Sequence, residues 1–421
     1  MPQDPSSDLL FVATRDWHLL LPIGVVGALS WSIWLIRKVL SARYRPTVND
    51  FRTTTSVVVP SFREDPDVLE RCLDSWLRQC PTEVIVVLDV DDRVARARLT
   101  ARNEPRLSVI SFPHEGKRSA LGVGIRAARG EIIVLCDSDT SWQPALLSAV
   151  QMPFADATVG AVSTRQNVYL PTSSIWRRVA DWIIDLRYTD YVPATARAGA
   201  VVCVSGRTAA YRRAAVLPVL QHLEHEFFLG RRCISGDDGR LTWLVLASGY
   251  RTVHQSTARA LSMFPSTFRA FCKQRVRWSR NSYRCYLTAA WEGWLWRVPW
   301  VSQLTVLQIL FTPVTMFAAV YYVVGSALSD RGAQALTLSL TWVVLGRGIR
   351  SVSHLRRRPS DLLILPLVAL VIAMVALPIK TYAFVSMNKQ GWLTRRANLT
   401  GGEGQDEASL APSPTRLGVR A

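Results

Sequence analysis

Cysteine is scarce and unpaired in this sequence of 421 residues. Its seven cysteines include no Cys-x-x-Cys pair, and none has a histidine partner at the spacing of a zinc site. An odd, scattered set of thiols is typical of a reducing compartment and predicts neither a disulfide framework nor a structural zinc ion. We therefore expect each cysteine to be a small buried hydrophobic residue.

Acidic residues are also few. The sequence has 32 aspartates and glutamates against 50 lysines and arginines, which gives a formal net charge of +18. Such a surplus could indicate nucleic acid, but no nucleic-acid-binding module accompanies it. The basic residues instead gather beside apolar blocks, as at Arg37-Lys38 and Arg356-Arg357-Arg358. This placement is typical of the cytoplasmic flanks of membrane spans and predicts a membrane partner, not nucleic acid.

Long apolar blocks are confined to the two ends of the chain. Residues 17–40, after a polar tail at 1–16, form a block long enough to cross a bilayer. A cleaved signal peptide is the alternative, but basic residues follow the block and no small-residue cleavage site does. We therefore expect a retained anchor whose carboxyl end lies in the cytoplasm.

The carboxyl-terminal part of the sequence predicts a transmembrane region over 298–390. Its apolar blocks are 298–328, 333–345 and 361–387. Pro366 and Pro378 interrupt the third block, which is therefore either one kinked helix or two shorter pieces. Residues 391–421 should form a loop and then a disordered tail rich in Gly, Ser and Pro.

The middle of the sequence, 51–260, has the sequence pattern of an α/β domain. Short β-branched segments alternate with amphipathic helical segments, which is typical of a mostly parallel sheet covered by helices. Strands are expected at 56–59, 83–88, 107–111, 132–135 and 160–163, and helices at 66–78 and 117–128. Residues 261–297 are rich in aromatic and basic residues and predict interfacial amphipathic helices; a helix packed on the α/β domain is the alternative.

Polar residues follow several predicted strands at their carboxyl ends, where ligands bind in open α/β sheets. Asp137 and Asp139 come directly after the strand at 132–135. Two carboxylates one residue apart suit Mg²⁺ or Mn²⁺, and a solvated turn is the alternative. Phe62 and Glu64 follow the first strand and could stack against and hydrogen-bond a base, although the same loop could simply cap the next helix.

Two more strand ends carry polar groups. Asp89 ends the second strand, and the cations Lys117 and Arg118 follow the third, where phosphates could be bound. Polar residues that only face solvent would rarely fall so consistently at one edge of a sheet. The pattern therefore favours a single binding site.

Three further motifs complete the set: Val204-Ser205-Gly206-Arg207, Gly236-Asp237-Asp238-Gly239 and Gln274-Arg275-Val276-Arg277-Trp278. A helix cap is the alternative for the acidic pair, and an interfacial anchor is the alternative for the last motif. In this order, the whole set resembles the processive family 2 glycosyltransferases of membrane polysaccharide synthesis. It is most similar to hyaluronan synthases, with cellulose synthases and rhizobial chitin-oligosaccharide synthases as relatives.

The resemblance implies a GT-A type glycosyltransferase domain and a multi-pass plasma-membrane protein whose catalytic domain faces the cytoplasm. It implies an inverting, processive enzyme that polymerises UDP-sugars onto a growing glycan and exports the product, with Mg²⁺ or Mn²⁺ as cofactor. The donors would be UDP-GlcNAc and, as a second candidate, UDP-GlcA. A chitin-oligosaccharide or other β-glycan synthase, a non-processive transferase to a lipid, and an inactive scaffold are the alternatives.

The resemblance also implies roles for the residues that bind the donor. Phe62 and Glu64 would hold the uracil, with Asp89 nearby. Lys117 would face the diphosphate. Asp137 and Asp139 would bind the donor and its metal ion, Asp139 being the direct ligand.

On the acceptor side, the resemblance implies that Ser205 and Gly206 line the channel and that Asp238, beside Asp237, is the general base. Three residues of the last motif would hold the pyrophosphate and stack the acceptor sugar: Gln274, Arg277 and Trp278. The sequence departs from the family pattern at Gly239, where the family has arginine, and at Trp392-Leu393-Thr394-Arg395, where the family has Trp-Gly-Thr-Arg.

Overall fold

The computed structural model describes residues 24–113, 115–328 and 332–390. Three predicted segments lie outside the described residues: the polar tail at 1–16, the first part of the anchor at 17–23, and the loop and tail at 391–421. The rest of the predicted anchor is helical, because α1 runs over Gly24–Ala42.

A sheet of eight strands forms the centre of the α/β domain. Its strands are β1 (Thr55–Ser61), β2 (Glu83–Asp89), β3 (Leu107–Phe112), β4 (Ile132–Cys136), β5 (Thr140–Trp142), β6 (Val159–Val168), β7 (Thr208–Arg212) and β10 (Arg251–Ser262). Their order across the sheet is β3-β2-β1-β4-β7-β6-β10-β5. Only β7 and β5 run antiparallel to their neighbours. The predicted mostly parallel sheet is confirmed. A separate hairpin pairs β8 (Phe227–Phe228) with β9 (Arg231–Arg232).

Helices cover both faces of the sheet. They are α2 (Pro66–Leu77), α3 (Arg93–Ala101), α4 (Lys117–Ala127), α5 (Leu146–Gln151), α6 (Ile175–Leu186), α7 (Val192–Ala198), α8 (Arg213–Val216), α9 (Leu220–Glu224) and α10 (Asp237–Ala247). Alternate residues of each strand point to opposite faces. Val58 therefore packs in a core with α4, α6 and α10, whereas Val57 and Val59 pack with α2, α3 and α5.

The carboxyl-terminal part of the described chain is helical. Its helices are α11 (Phe268–Trp291), α12 (Trp300–Leu310), α13 (Thr312–Ala327), α14 (Gly332–Arg350), α15 (Val352–Leu355), α16 (Leu365–Leu370) and α17 (Ala376–Val385). One face of α11 is buried and includes Phe271, Gln274 and Tyr283, whereas Trp291 at its end is 90% exposed. The helix is thus packed on its neighbours along one face, and its interfacial position stays a prediction.

The third apolar block lies in one continuous helix and is not divided into two shorter pieces. Among the described residues, Pro359–Val385 is the single unbroken helix that is long and apolar enough to cross a membrane. It contains a π-helical turn at Val371–Val375. Pro378 follows this turn and lacks the N–H that an α-helix would need there, which accounts for the local change in the helical hydrogen-bonding pattern.

The predicted span at 298–328 is broken in the structure. Helices α12 and α13 meet at 56° and could form one broken span or a re-entrant loop. Helix α14 contains the predicted short block and continues to Arg350. A multi-pass topology stays a prediction.

Candidate active site

A cavity of about 180 Å³ opens at the carboxyl ends of the parallel strands. The predicted site residues that line it are Lys117, Asp137, Ser205, Gly206, Asp237, Asp238, Arg277 and Trp278. They come from the start of α4, the end of β4, the loop before β7, the start of α10 and the middle of α11. The structure therefore brings together motifs that lie far apart in the sequence.

Lys117 joins two of the acidic motifs inside this cavity. It is the first residue of α4, and its Nζ atom lies 2.8 Å from Asp137 Oδ1 and 3.0 Å from Asp237 Oδ2. Burial alone lowers the pKa of Lys117, but the two carboxylates outweigh burial and hold that pKa above its ordinary value. Lys117 is therefore a fixed positive charge between the acidic groups.

Asp137 is held ionised by its neighbours. Burial raises the pKa of a carboxyl group, but Lys117, followed by Arg207 and Arg277, holds the pKa of Asp137 below its ordinary value. Its backbone N–H also donates to the carbonyl oxygen of Arg207 at 3.1 Å. Asp139 is half-buried, and its Oδ1 accepts a hydrogen bond from the Thr140 hydroxyl at 3.4 Å.

Two carboxylates, Asp137 and Asp139, stand where the sequence predicts a metal ion. Among the described residues, no group of three or more His, Cys, Asp or Glu side chains could hold a metal ion. Asp137 and Asp139 supply the oxygen atoms that Mg²⁺ or Mn²⁺ takes, and such an ion usually completes its shell with water and substrate phosphates. The donor set therefore fits a metal ion that binds together with a diphosphate.

Asp238 also lines the cavity and lies in the first turn of α10. Its Oδ1 atom accepts the N–H of the next residue, Gly239, at 2.8 Å. The N-cap residue of α10 is Gly236, and no side chain makes a capping hydrogen bond there. Burial first, and the negative charge of Asp237 second, raise the pKa of Asp238. Cys203 Sγ lies 3.9 Å from the other oxygen, Oδ2. A carboxylate made more basic in this way is suited to accept a proton.

Two glycines allow close approach around these carboxylates. A Cβ on Gly206 would lie 3.1 Å from Asp237 Oδ2 and 3.4 Å from Lys117 Nζ. A Cβ on Gly239 would lie 3.0 Å from Cys285 Sγ, so the residue that replaces the family's arginine lets α10 pack tightly on α11. Arg240, one position later, stacks on Trp294 with its guanidinium 5.1 Å from the ring centre.

A smaller pocket of about 20 Å³ adjoins the cavity at Gly116 and Lys117. Phe62, Phe112 and Asp89 line it, so it offers two aromatic rings and a carboxylate. Glu64 does not line this pocket. Its Oε2 atom instead accepts a hydrogen bond from Ser138 Oγ at 2.6 Å, which connects the first strand end to the Asp137–Asp139 loop.

The motif from Gln274 to Trp278 on α11 lies partly at the cavity and partly in the core. Arg277 and Trp278 line the cavity, whereas Gln274 does not and is only 4% exposed. Within the described part of the chain, Gln274 Oε1 has no hydrogen-bond partner. The Arg207 guanidinium stacks on Trp278 at 4.8 Å and on Phe264 at 4.0 Å.

A model of the family described as "glycosyltransferase like family 2" matches residues 52–281, more than half of the chain and nearly all of the residues just described. This chain is a member of that glycosyltransferase family. An N-acetylglucosaminyltransferase of Rhizobium leguminosarum bv. viciae is 30% identical over 355 residues, which cover 81% of each chain. A hyaluronan synthase of Streptococcus pyogenes serotype M3 is 25% identical over 393 residues, 89% of this chain and 91% of the relative.

A solved structure supports the fold of the glycosyltransferase. A mannosyltransferase of Pyrobaculum calidifontis, in complex with GDP-Man and Mn²⁺, matches with a TM-score of 0.58 at 21% identity. The match covers 84% of this chain and 99% of that one. The predicted GT-A fold and the predicted family are both confirmed.

Several residues of the glycosyltransferase cavity had no predicted role: Arg187, Tyr188, Cys203, Arg207, Asn281 and Tyr286. Arg207 directly follows Ser205-Gly206, so the predicted motif itself was the available signal. Arg187 and Tyr188 lie in a π-helical turn at Arg187–Tyr191 that continues α6. Nothing in the sequence distinguishes this turn from an ordinary helix.

Arg118 has a structural position and does not line the cavity. Its buried guanidinium donates to the carbonyl oxygens of Ser235 and Gly236 and pairs with Glu226. The second of the two cations expected to meet phosphates thus holds the turn that precedes Asp237. Only Lys117 of that pair reaches the site.

Proposed function

We propose that this glycosyltransferase takes sugars from UDP-sugars and adds them, with inversion, to the end of a growing β-glycan, as a processive hyaluronan-synthase-like enzyme. The observation that carries the proposal is the placement of Asp238. Its pKa is raised by burial and by Asp237, and it shares one cavity with the Lys117–Asp137 pair and with Trp278. A base, a cation for a leaving group and an aromatic platform are the parts that such a transfer needs.

The donor would extend across both pockets. The uracil would stack on Phe62 beside Asp89, with Glu64 supporting the neighbouring loop through Ser138. The diphosphate would then lie near Lys117, where the two pockets meet. Asp139 and Asp137 would hold Mg²⁺ or Mn²⁺, which when bound supplies positive charge to the diphosphate.

The acceptor would enter on the side of Ser205, Gly206 and Trp278, with its terminal sugar stacked on the indole ring. Asp238 would take the proton of the acceptor hydroxyl as that oxygen attacks the anomeric carbon and the bond to UDP breaks. Lys117 and Arg277 would balance the negative charge that develops on the leaving diphosphate. Gln274, buried on the same helix, would support this wall of the site.

The wider organisation is part of the same proposal. Residues 51–260 would form a cytoplasmic catalytic domain, 261–297 interfacial helices, and 298–390 a region that spans the plasma membrane several times. The long apolar helix Pro359–Val385 supports this placement. The polysaccharide would then leave through the membrane without crossing free lipid.

The relatives support UDP-GlcNAc as a donor, because they are named as N-acetylglucosaminyltransferases and as a hyaluronan synthase. UDP-GlcA would be the second donor of a hyaluronan-like polymer. A chitin-oligosaccharide synthase is the second candidate, since the rhizobial relative has the higher identity, 30% against 25%.

The test uses membranes that contain the full chain, supplied with Mn²⁺ and radiolabelled UDP-sugars singly and in pairs. The product is then treated separately with hyaluronidase, chitinase and cellulase. We expect polymer from UDP-GlcNAc together with UDP-GlcA that hyaluronidase degrades. Digestion by chitinase alone would favour the second candidate, and no incorporation from any UDP-sugar would contradict the proposed function.

A further inference from the structure

The π-helical turn Arg187–Tyr191 contacts the cavity with its first residues and helix α1 with its last ones. Arg187 and Tyr188 line the cavity. Asp190 is 4% exposed, and its Oδ1 atom lies 2.8 Å from Nζ of Lys38 on α1. Turns of this kind often occur at functional sites. Through this short segment, a displacement of α1 would act on one wall of the cavity.

Further contacts hold the turn in the same place. Ser353 of α15 donates a hydrogen bond to Asp190 Oδ1 at 2.8 Å. Arg37 of α1 stacks on the Tyr191 ring, with its guanidinium 4.8 Å from the ring centre. Because Asp190 is buried, loss of Lys38 would leave a poorly compensated negative charge inside the protein. The turn would then have to move to bring that charge closer to water.

A second connection runs from the end of α1 to Tyr188. Tyr44 lies two residues beyond the helix, and its hydroxyl donates to the carbonyl oxygen of His254 at 2.7 Å. The His254 ring is buried and has two aromatic neighbours, with ring centres 5.6 Å away for Tyr44 and 5.9 Å away for Tyr188. Tyr188 is thus connected to the end of α1 through packed rings as well as through the turn.

The basic residues that flank the apolar blocks also pair with the α/β domain. Besides Lys38, Arg357 lies 2.6 Å from Asp185 and Arg358 lies 3.0 Å from Asp181. Both aspartates are buried on α6, directly before the turn. Basic residues in such flanks are usually explained by attraction to anionic lipid. Here these three cations make specific ion pairs within the protein.

We propose that the Lys38–Asp190 ion pair positions Arg187 in the cavity, so that α1 supports sugar transfer directly in addition to being an anchor. This inference rests on the proposed function and deepens it. Neither Lys38 nor Asp190 lines the cavity, so both are positioning residues. The residue that they position, Arg187, lines the same cavity as the proposed base, Asp238.

Arg187 acts on Asp238 through its charge. Burial first, and Asp237 second, raise the pKa of Asp238, whereas the positive charges of Lys117 and Arg187 oppose this rise. Burial also raises the pKa of four further titratable groups that interact electrostatically with Asp238, which keeps them neutral at pH 7: Cys203, Tyr211, Cys285 and Tyr286. Displacement of the turn would therefore take a positive charge away from Asp238 and raise its pKa further.

The test uses the full chain and measures the kcat of sugar transfer, the pH–rate profile and UDP affinity on each protein. The variants are Lys38→Gln, the milder Ser353→Ala, and the swapped pair Lys38→Asp with Asp190→Lys, which keeps the summed length of the two side chains. The control is Arg43→Gln, which removes an exposed cation just beyond the end of α1.

Lys38→Gln should lower kcat by up to about 10²-fold, the cost of misplacing a group at a reacting centre by about 1 Å, and should leave UDP affinity unchanged. The acid limb of its profile should move to higher pH, because Arg187 no longer opposes the rise in the pKa of Asp238. The swapped pair should restore most of both properties. Ser353→Ala should change both in the same direction by less, and Arg43→Gln should change neither.

An unchanged kcat in Lys38→Gln would overturn the positioning role. An equal loss in Arg43→Gln would also overturn it, because the charge would then act through lipid. A lower kcat with the acid limb in place would show that the pair does not position Arg187.

Loss of UDP binding would show that Lys38→Gln does not fold. The comparison then uses Ser353→Ala, which keeps both charges, and an acid limb that stays in place would overturn the inference. The proposed function fails separately, when the unmodified chain transfers no sugar from any UDP-sugar.

Discussion

Lys117 Nζ and Asp137 Oδ1 lie 2.8 Å apart, which joins the start of α4 to the end of β4 inside the cavity. The same ammonium lies 3.0 Å from Asp237, the neighbour of Asp238. Lys117 therefore contacts one member of each acidic pair. Asp137–Asp139 is the pair that would face the donor, and Asp237–Asp238 is the pair that contains the proposed base.

Replacing Lys117 should slow transfer more than it weakens nucleotide binding. Lys117→Gln removes the charge that would balance the leaving diphosphate and takes the nearest cation away from Asp137 and Asp237. We expect the rate of sugar transfer to fall by about 10²- to 10³-fold, the usual cost of losing one electrostatic stabiliser. Initial rates with radiolabelled donor measure this. Lys117→Arg should recover part of the rate, and an unchanged rate in Lys117→Gln would remove the lysine from the reaction.

The acid limb of the pH–rate profile should report the pKa of Asp238. Burial and the charge of Asp237 raise this pKa, so activity should fall, as the pH is lowered, at a higher pH than an ordinary aspartate with a pKa near 3.9 would give. Asp237→Asn removes a neighbouring negative charge and leaves Lys117 freer to stabilise the Asp238 carboxylate. Both effects lower the pKa of Asp238.

The acid limb of Asp237→Asn should therefore move to lower pH, whatever happens to the maximal rate. The profile is measured as kcat/KM for the acceptor between pH 4 and pH 8. A limb that stays in place or moves to higher pH would show that a different group titrates.

Phe62 should contribute to nucleotide affinity through stacking. Phe62→Ala removes one of the two rings of the smaller pocket, and base–aromatic stacking is worth about 1–3 kcal/mol per base. UDP affinity, measured by calorimetry, should fall accordingly, whereas Phe62→Tyr should bind UDP nearly as well as the unmodified chain. Unchanged affinity in Phe62→Ala would place the base elsewhere.

Asp139 should act through a metal ion. Asp139→Asn is expected to weaken UDP binding in the presence of Mn²⁺ and to leave binding in excess chelator nearly unchanged, because only the metal-bound complex uses the lost carboxylate charge. The comparison needs four titrations, two proteins with and without metal. An equal loss in both conditions would mean that Asp139 supports the fold or the nucleotide directly.

The sequence predicts the strands that are buried on both faces. Strands β1, β2 and β4 consist entirely of buried residues, and such strands read as continuous apolar runs. Strand β7 contains small residues and β10 has polar residues along most of its length, so neither resembles such a run. Their place in the sheet depends on pairing partners distant in sequence, which composition does not reveal.

The candidate site, like the sheet, has some residues that the sequence predicts and others that it does not. Asp137, Lys117 and Asp238 stand in short motifs at the ends of strands or the starts of helices, where position in the sheet follows from local pattern. Arg187 lines the cavity from a π-helical turn that continues α6. Arg118 does not line it, because its guanidinium pairs with Glu226 and donates to two carbonyl oxygens. Both outcomes depend on tertiary packing.

The most direct test of the account compares Asp238→Asn with the unmodified chain in membranes supplied with Mn²⁺, UDP-GlcNAc and UDP-GlcA. The two measured quantities are UDP affinity and the rate of polymer formation. If Asp238 is the base, the variant should bind UDP normally and form polymer about 10²- to 10⁴-fold more slowly. Polymer formation at the unmodified rate would contradict the account.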